Sequence, residues 1–186
     1  MFNKLFRKVS MAVVGIAMAI GVGVAIGIGS SKEVEPVHAA VSSTATASLD
    51  SDCTHNNSGI PTSATSGWKA STAASNYESS NSARGWAWTN GTDATITYFS
   101  SGTTFGKVSV IASTNSGASK VSLVVKVGGT TWTPSSTYVS TTANQTYDFT
   151  GSNSGNVVLE FTNTGSKSTW IKDISIYAED STIPSL

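Results

Sequence analysis

Few residues in this chain of 186 can do covalent chemistry. The single cysteine, Cys53, stands two positions before His55. A thiolate–imidazole pair needs the base within hydrogen-bond reach and usually a third residue to orient it. Neighbours at i and i+2 in a polar, Asn-rich segment are poorly built for that, so they read as a small thiol beside a surface imidazole. Two ligands would also leave a tetrahedral zinc shell half empty. Glycosidic hydrolysis needs two carboxylates across a cleft. Asp148, Glu160 and Asp173 lie on or near strands, but each is accounted for as an outward strand position. The sequence holds no phosphate-cradling glycine loop, no G-x-S-x-G and no H-E-x-x-H. The expectation is a chain that is not an enzyme.

Aromatic rings are the other chemical resource. They stack on the apolar faces of sugars while neighbouring polar side chains bond the hydroxyls, although rings in a small β domain also serve as core. The inventory is Trp68, Tyr77, Trp86, Trp88, Trp132, Tyr138 and Trp170. Trp86 and Trp88, two apart before the Asn90-Gly91 turn pair, are expected on one buried strand face. Trp132 and Tyr138 fall in a loop-like stretch with Pro134 rather than in an alternating run. With Trp68 and Arg84 they form the candidate ligand-binding set. Arg84, the only arginine after the leader, is suited either to orienting a sugar or carboxylate or to a lone salt bridge.

The elements that position these residues are strands. Ser, Thr, Asn, Gly and Ala dominate, and no window carries the 3.6-residue apolar stripe of an amphipathic helix. Val157, Leu159 and Phe161 alternate with Val158, Glu160 and Thr162, the period of a half-buried strand. Val121, Leu123, Val125 and Val127 repeat the pattern before Gly128-Gly129, as do Ile96 with Tyr98 and Val108 with Val110. Thr146 to Thr150 is a further strand. Ile171 cannot share a face with Ile174 and Ile176 on a regular strand, so a bulge is predicted near Lys172-Asp173. About seven or eight strands at this spacing predict an all-β antiparallel sandwich over 49–180. Residues 49–82 are expected to hold one or two irregular strands and long loops.

Met1 to Lys8 is basic and Met11 to Gly29 is an uncharged apolar run, the pattern of a secretory signal. Its length also suits an uncleaved anchor. Five glycines and Val37-His38-Ala39 favour cleavage, giving a signal peptide over 1–39, a polar spacer over 40–48 and a short tail over 181–186 that is neither hydrophobic nor basic. Beyond Ala39 the chain has seven basic and nine acidic residues and no basic stripe, which argues against nucleic acid and, once the leader is removed, against a membrane partner. One cysteine allows no internal disulfide, so Cys53 is buried, free or paired to another molecule.

The run YDF, then GNVVLEFTNTGSKSTW, then IKDISIY resembles the last strands of jelly-roll, galactose-binding-like domains of bacterial secreted and surface proteins, a group that includes many carbohydrate-binding modules. Their closing strand often reads Ile-Asp-x-Ile-x-Ile; the matching residues are Ile171, Asp173, Ile174 and Ile176, with the Asp displaced by one position. The resemblance covers roughly the last hundred residues. It implies a jelly-roll-like sandwich, a glycan or cell-wall partner outside the cell, and a structural calcium ion near the N-terminal segment, for which Asp50 and Asp52 are the candidate ligands; no D-x-[DN]-x-[DN]-G loop accompanies them. Two readings follow: a secreted carbohydrate-binding or adhesive module, or a structural surface protein that self-associates.

Overall fold

The computed structural model describes residues 40–79, 85–89, 91–114, 121–139, 141–165 and 168–180. The leader, Arg84, Asn90 and residues 181–186 lie outside them. The elements are β1 (Ala47–Ser48), α1 (Leu49–Asp52), β2 (Gly67–Ala70), β3 (Asn76–Glu78), β4 (Gly85–Trp88), β5 (Ala94–Phe99), β6 (Thr104–Thr114), β7 (Val121–Val127), β8 (Thr130–Thr131), β9 (Thr137–Val139), β10 (Gln145–Ser154), β11 (Val157–Asn163) and β12 (Thr169–Ala178). Every pairing is antiparallel.

These strands make two sheets of a sandwich. The first runs β10-β6-β12-β4-β3, with β1 also on β12; the second runs β2-β5-β11-β7-β8, with β9 also on β7. The expected fold class holds. The strand count rises to twelve because β1, β3, β8 and β9 have three residues or fewer and are too short for an alternating signature. Residues 40–48, expected as a spacer, instead run along β12: Ser42 N donates to Ala178 O (3.0 Å), Thr46 N to Ile176 O (2.6 Å), and Asp180 N to Ala40 O (2.6 Å).

The core lies between the sheets and follows the predicted alternation. Val108, Val110, Phe149, Ile171, Ile174 and Ile176 face Ile96, Leu123, Val125, Leu159 and Phe161, all buried. Trp86 and Trp88 are fully buried, as expected, and Trp88 meets Phe161 edge-on at 4.9 Å. The predicted bulge is present: β12 shifts register against β6 between Ile171 and Asp173. It also marks a change of partner. Thr169 to Ile171 pair with β4, and Ser175 and Ile176 pair with β1.

The bulge needs close backbone approach from β4. Gly85 has φ +92°, and a Cβ there would fall 2.5 Å from Lys172 Cα and closer still to the Ile171 carbonyl oxygen. Gly102 also has positive φ (+83°), but a Cβ there would meet nothing within 4 Å. Gly85→Ala is therefore expected to lower unfolding free energy by about 3 kcal/mol, combining backbone strain with a steric clash. Gly102→Ala should cost about 1 kcal/mol, from strain alone. Urea unfolding of both variants checks the difference.

Candidate functional site

Alternation along the second sheet leaves one set of side chains outside. On β5 the inward residues are Ala94 and Ile96, so Thr95, Thr97 and Phe99 face out. Cross-strand register then sets rows across the sheet. Lys69, Thr97, Val158 and Lys126 form one row, and Thr95, Glu160 and Val124 the next. Thr162, Ser122 and Tyr138 make a third. Ser71 extends the Thr95 row, since Thr95 N donates to Ser71 Oγ (2.9 Å) and Ser71 N to Thr95 O (2.9 Å).

These rows enclose a furrow built of two adjoining depressions. One, of about 540 Å³, is lined by Thr62, Lys69, Ser71, Thr95, Thr97, Phe99, Asn156 and Val158. The other, of about 290 Å³, shares Ser71 and Thr95 and continues to Asp93, Glu160 and Thr162. The lining combines hydroxyls, one amide, one ammonium and one half-buried aromatic ring. Glu160 is engaged, accepting from Lys126 Nζ at 2.8 Å, and Asp93 Oδ1 accepts from Asn163 N (2.7 Å). Such a surface can bond a polyhydroxylated chain and cover part of its apolar face.

The candidate residues named from sequence are dispersed. Tyr138 is 60% exposed on the outer face of the second sheet, in the third row. Trp132 is only 2% exposed, so its loop-like setting misleads: the indole sits against Gly151, and its Nε1 donates to Asn153 Oδ1 (2.9 Å). Trp68 is 5% exposed, tilts against Tyr98 at 4.9 Å and donates Nε1 to Asp52 Oδ2 (2.9 Å). Neither tryptophan offers a ring face to a ligand. Arg84 lies outside the described residues. Phe99, Lys69 and Asn156 were missed. Phe99 shares parity with Thr95 and Thr97, a signal the sequence does contain.

Asp50 and Asp52 do not fit a calcium ion. Lys172 Nζ lies 2.5 Å from Asp50 Oδ1, and His55 Nε2 contacts the same oxygen at 3.0 Å. Asp52 Oδ2 accepts from Trp68 and from Ser48 N (3.2 Å). Calcium takes six to eight oxygens, whereas these carboxylates face an ammonium, an imidazole and an indole N–H. Among the described residues no three His, Cys, Asp or Glu side chains group to hold a metal. Burial makes the Lys172 ammonium harder to keep, but hydrogen bonds with Asp50 and Tyr77 outweigh it and raise its pKa above 10.5.

Asp148, Asp173 and Glu160 are not arranged across a cleft. Glu160 faces out from the second sheet, while Asp148 and Asp173 lie on the first and accept from Ser109 Oγ (2.5 Å) and Ser175 Oγ (2.5 Å). His55 turns toward Asp50 and stacks flat on Tyr77, with centroids 4.8 Å apart. The Cys53 thiol is pushed up to about 11 by burial and by the charge of Asp52. Cys53 is therefore expected to resist iodoacetamide at pH 8 and to react only as pH rises past about 10. Alkylation rates of the folded chain against pH, with urea-unfolded chain as reference, check this.

No family model matches the chain, and no curated protein matches it. Among solved structures it is similar to the CBM36-1 domain of a multidomain xylanase from the hindgut metagenome of Trinervitermes trinervoides, at 23% identity and TM-score 0.35, over 50% of this chain and 76% of that one. A carbohydrate-binding module CBM36 in complex with calcium and xylotriose is similar at 18% identity and TM-score 0.37, over 54% and 85%. The xylan-binding module CBM15 is similar at 14% identity and TM-score 0.35, over 61% and 92%.

Proposed function

We propose that the chain is a secreted, non-catalytic module that binds a glycan or cell-wall polymer at the bacterial surface, through the furrow on the outer face of the second sheet. The observation that carries this reading is the furrow's lining. Thr95 and Thr97, about 7 Å apart along β5, and Ser71, Thr62 and Asn156 from the adjoining loops offer donors and acceptors beside the ring of Phe99. Tyr138 supplies a second ring further along the same face, in the row of Thr162. Hydroxyls and amides recognise sugar hydroxyls without needing net charge, which suits a domain that beyond Ala39 carries seven bases and nine acids. The leader supports export, and no helix among the described residues is long and apolar enough to cross a membrane.

A self-associating surface role is the second reading, favoured by β10. Beyond its pairing with β6, the only bridge this strand makes among the described residues is Thr133 with Thr150. Among the described residues the edge from Gln145 to Phe149 pairs with no further strand, the kind of edge that takes another chain.

Thr97→Trp fills the furrow and is expected to lower retention on the bound polysaccharide at least about tenfold, with the unfolding midpoint unchanged. Phe99→Ala should weaken it by about 1 kcal/mol through loss of ring contact. Trp132→Ala should unfold the domain rather than alter binding selectively. Affinity electrophoresis, glycan-array binding and urea melts separate these outcomes. Concentration-dependent oligomers without any glycan bound would favour the second reading.

A further inference from the structure

We infer that the furrow takes a linear glycan carrying an anionic substituent, a carboxylate or a phosphate, seated on Lys69; this rests on the furrow being the binding site. Lys69 lies on β2 opposite Thr97 and is half-buried among Thr62, Ser71, Thr95, Thr97 and Asn156. Among the described residues no acid lines that depression. The other lysines among the described residues have partners: Lys126 on Glu160 (2.8 Å), Lys172 on Asp50 (2.5 Å) and Lys107 over the Tyr177 ring (4.2 Å). Among the described residues Lys69 is the lysine without a carboxylate or ring on its ammonium.

A polymer lying along the furrow removes water from that ammonium. A neutral chain would leave the charge covered and without a counterion, which costs free energy, whereas an anion over it restores a charge-assisted bond. The adjoining depression has the opposite character. Asp93 and Glu160 line it, and Glu160 is already neutralised by Lys126, leaving Asp93 as the charge facing a ligand there. An anion at that end meets repulsion. The furrow therefore selects a sparsely charged chain, with one acidic group at the Phe99 end and hydroxyls toward Asp93, over both a neutral chain and one charged on every residue.

The test is a glycan array holding neutral, singly uronate-bearing, fully uronate and phosphate-bearing linear glycans. It is probed with the full chain and with its Lys69→Gln, Lys69→Arg and Thr97→Trp variants at low and high salt. The expected result is binding to glycans carrying isolated acidic groups, weakened at least about tenfold by Lys69→Gln and by high salt, and largely kept by Lys69→Arg. Uronate-only or phosphate-only binding identifies the source of the anion. Neutral glycans bound equally by wild type and Lys69→Gln, but lost in Thr97→Trp, overturn the inference and leave the furrow as the site. Binding that Thr97→Trp does not touch, or no binding by a folded chain, overturns both.

Discussion

The sandwich depends on the bulge at Lys172 and Asp173. At that point β12 hands its free edge from β4 to β1, and the two bulged side chains fill the gap. Asp173 is 9% exposed and its carboxylate accepts from Ser48 Oγ (3.0 Å), Asp50 N (3.0 Å) and Ser175 Oγ (2.5 Å). A nearly buried carboxylate is tolerable only with such a set of donors. Lys172 turns the other way, to Asp50 and the Tyr77 hydroxyl, so one irregularity ties the N-terminal turn, β3 and the closing strand together. It also restores parity, letting Ile171, Ile174 and Ile176 enter one core.

This arrangement divides the two outer faces. On the first sheet the polar groups answer one another: Ser109 with Asp148, Ser175 with Asp173, and Ser48 with Asp173. On the second sheet the salt bridge of Lys126 with Glu160 is the main pairing between side chains, and Asn156 Oδ1 accepts from Ser100 N (3.1 Å), while the hydroxyls of Thr97 and Thr62 and the ammonium of Lys69 line open space. A face whose polar groups are already satisfied has little to offer a ligand beyond its backbone edges. The face that retains its hydrogen-bonding capacity is the one that can exchange water for hydroxyls.

Legibility in the sequence followed the range of the interaction. Alternation and the parity break around Lys172 are local, and both the strands and the bulge could be read from them. Trp132 was misjudged because its burial is decided by Gly151 and Asn153, about twenty residues away, where the absent side chain of one and the amide of the other make an indole-shaped seat. Pairing of 40–48 with β12 is likewise non-local and leaves no periodic trace in VSSTATAS. Phe99 was legible by parity with Thr95 and Thr97. Yet an aromatic at the end of a strand carries no sign that Asn156 and Lys69 converge on it.

The bond from Asp180 N to Ala40 O brings the first and last described residues of the sandwich side by side. The domain is in effect a closed loop opened at one corner. It can be inserted into a surface turn of another protein without spreading that turn, and a circularly permuted chain joining 180 to 40 would need only a short linker. Segments leading to or from the sandwich attach at that corner, on the edge of the first sheet, while the furrow looks out from the second.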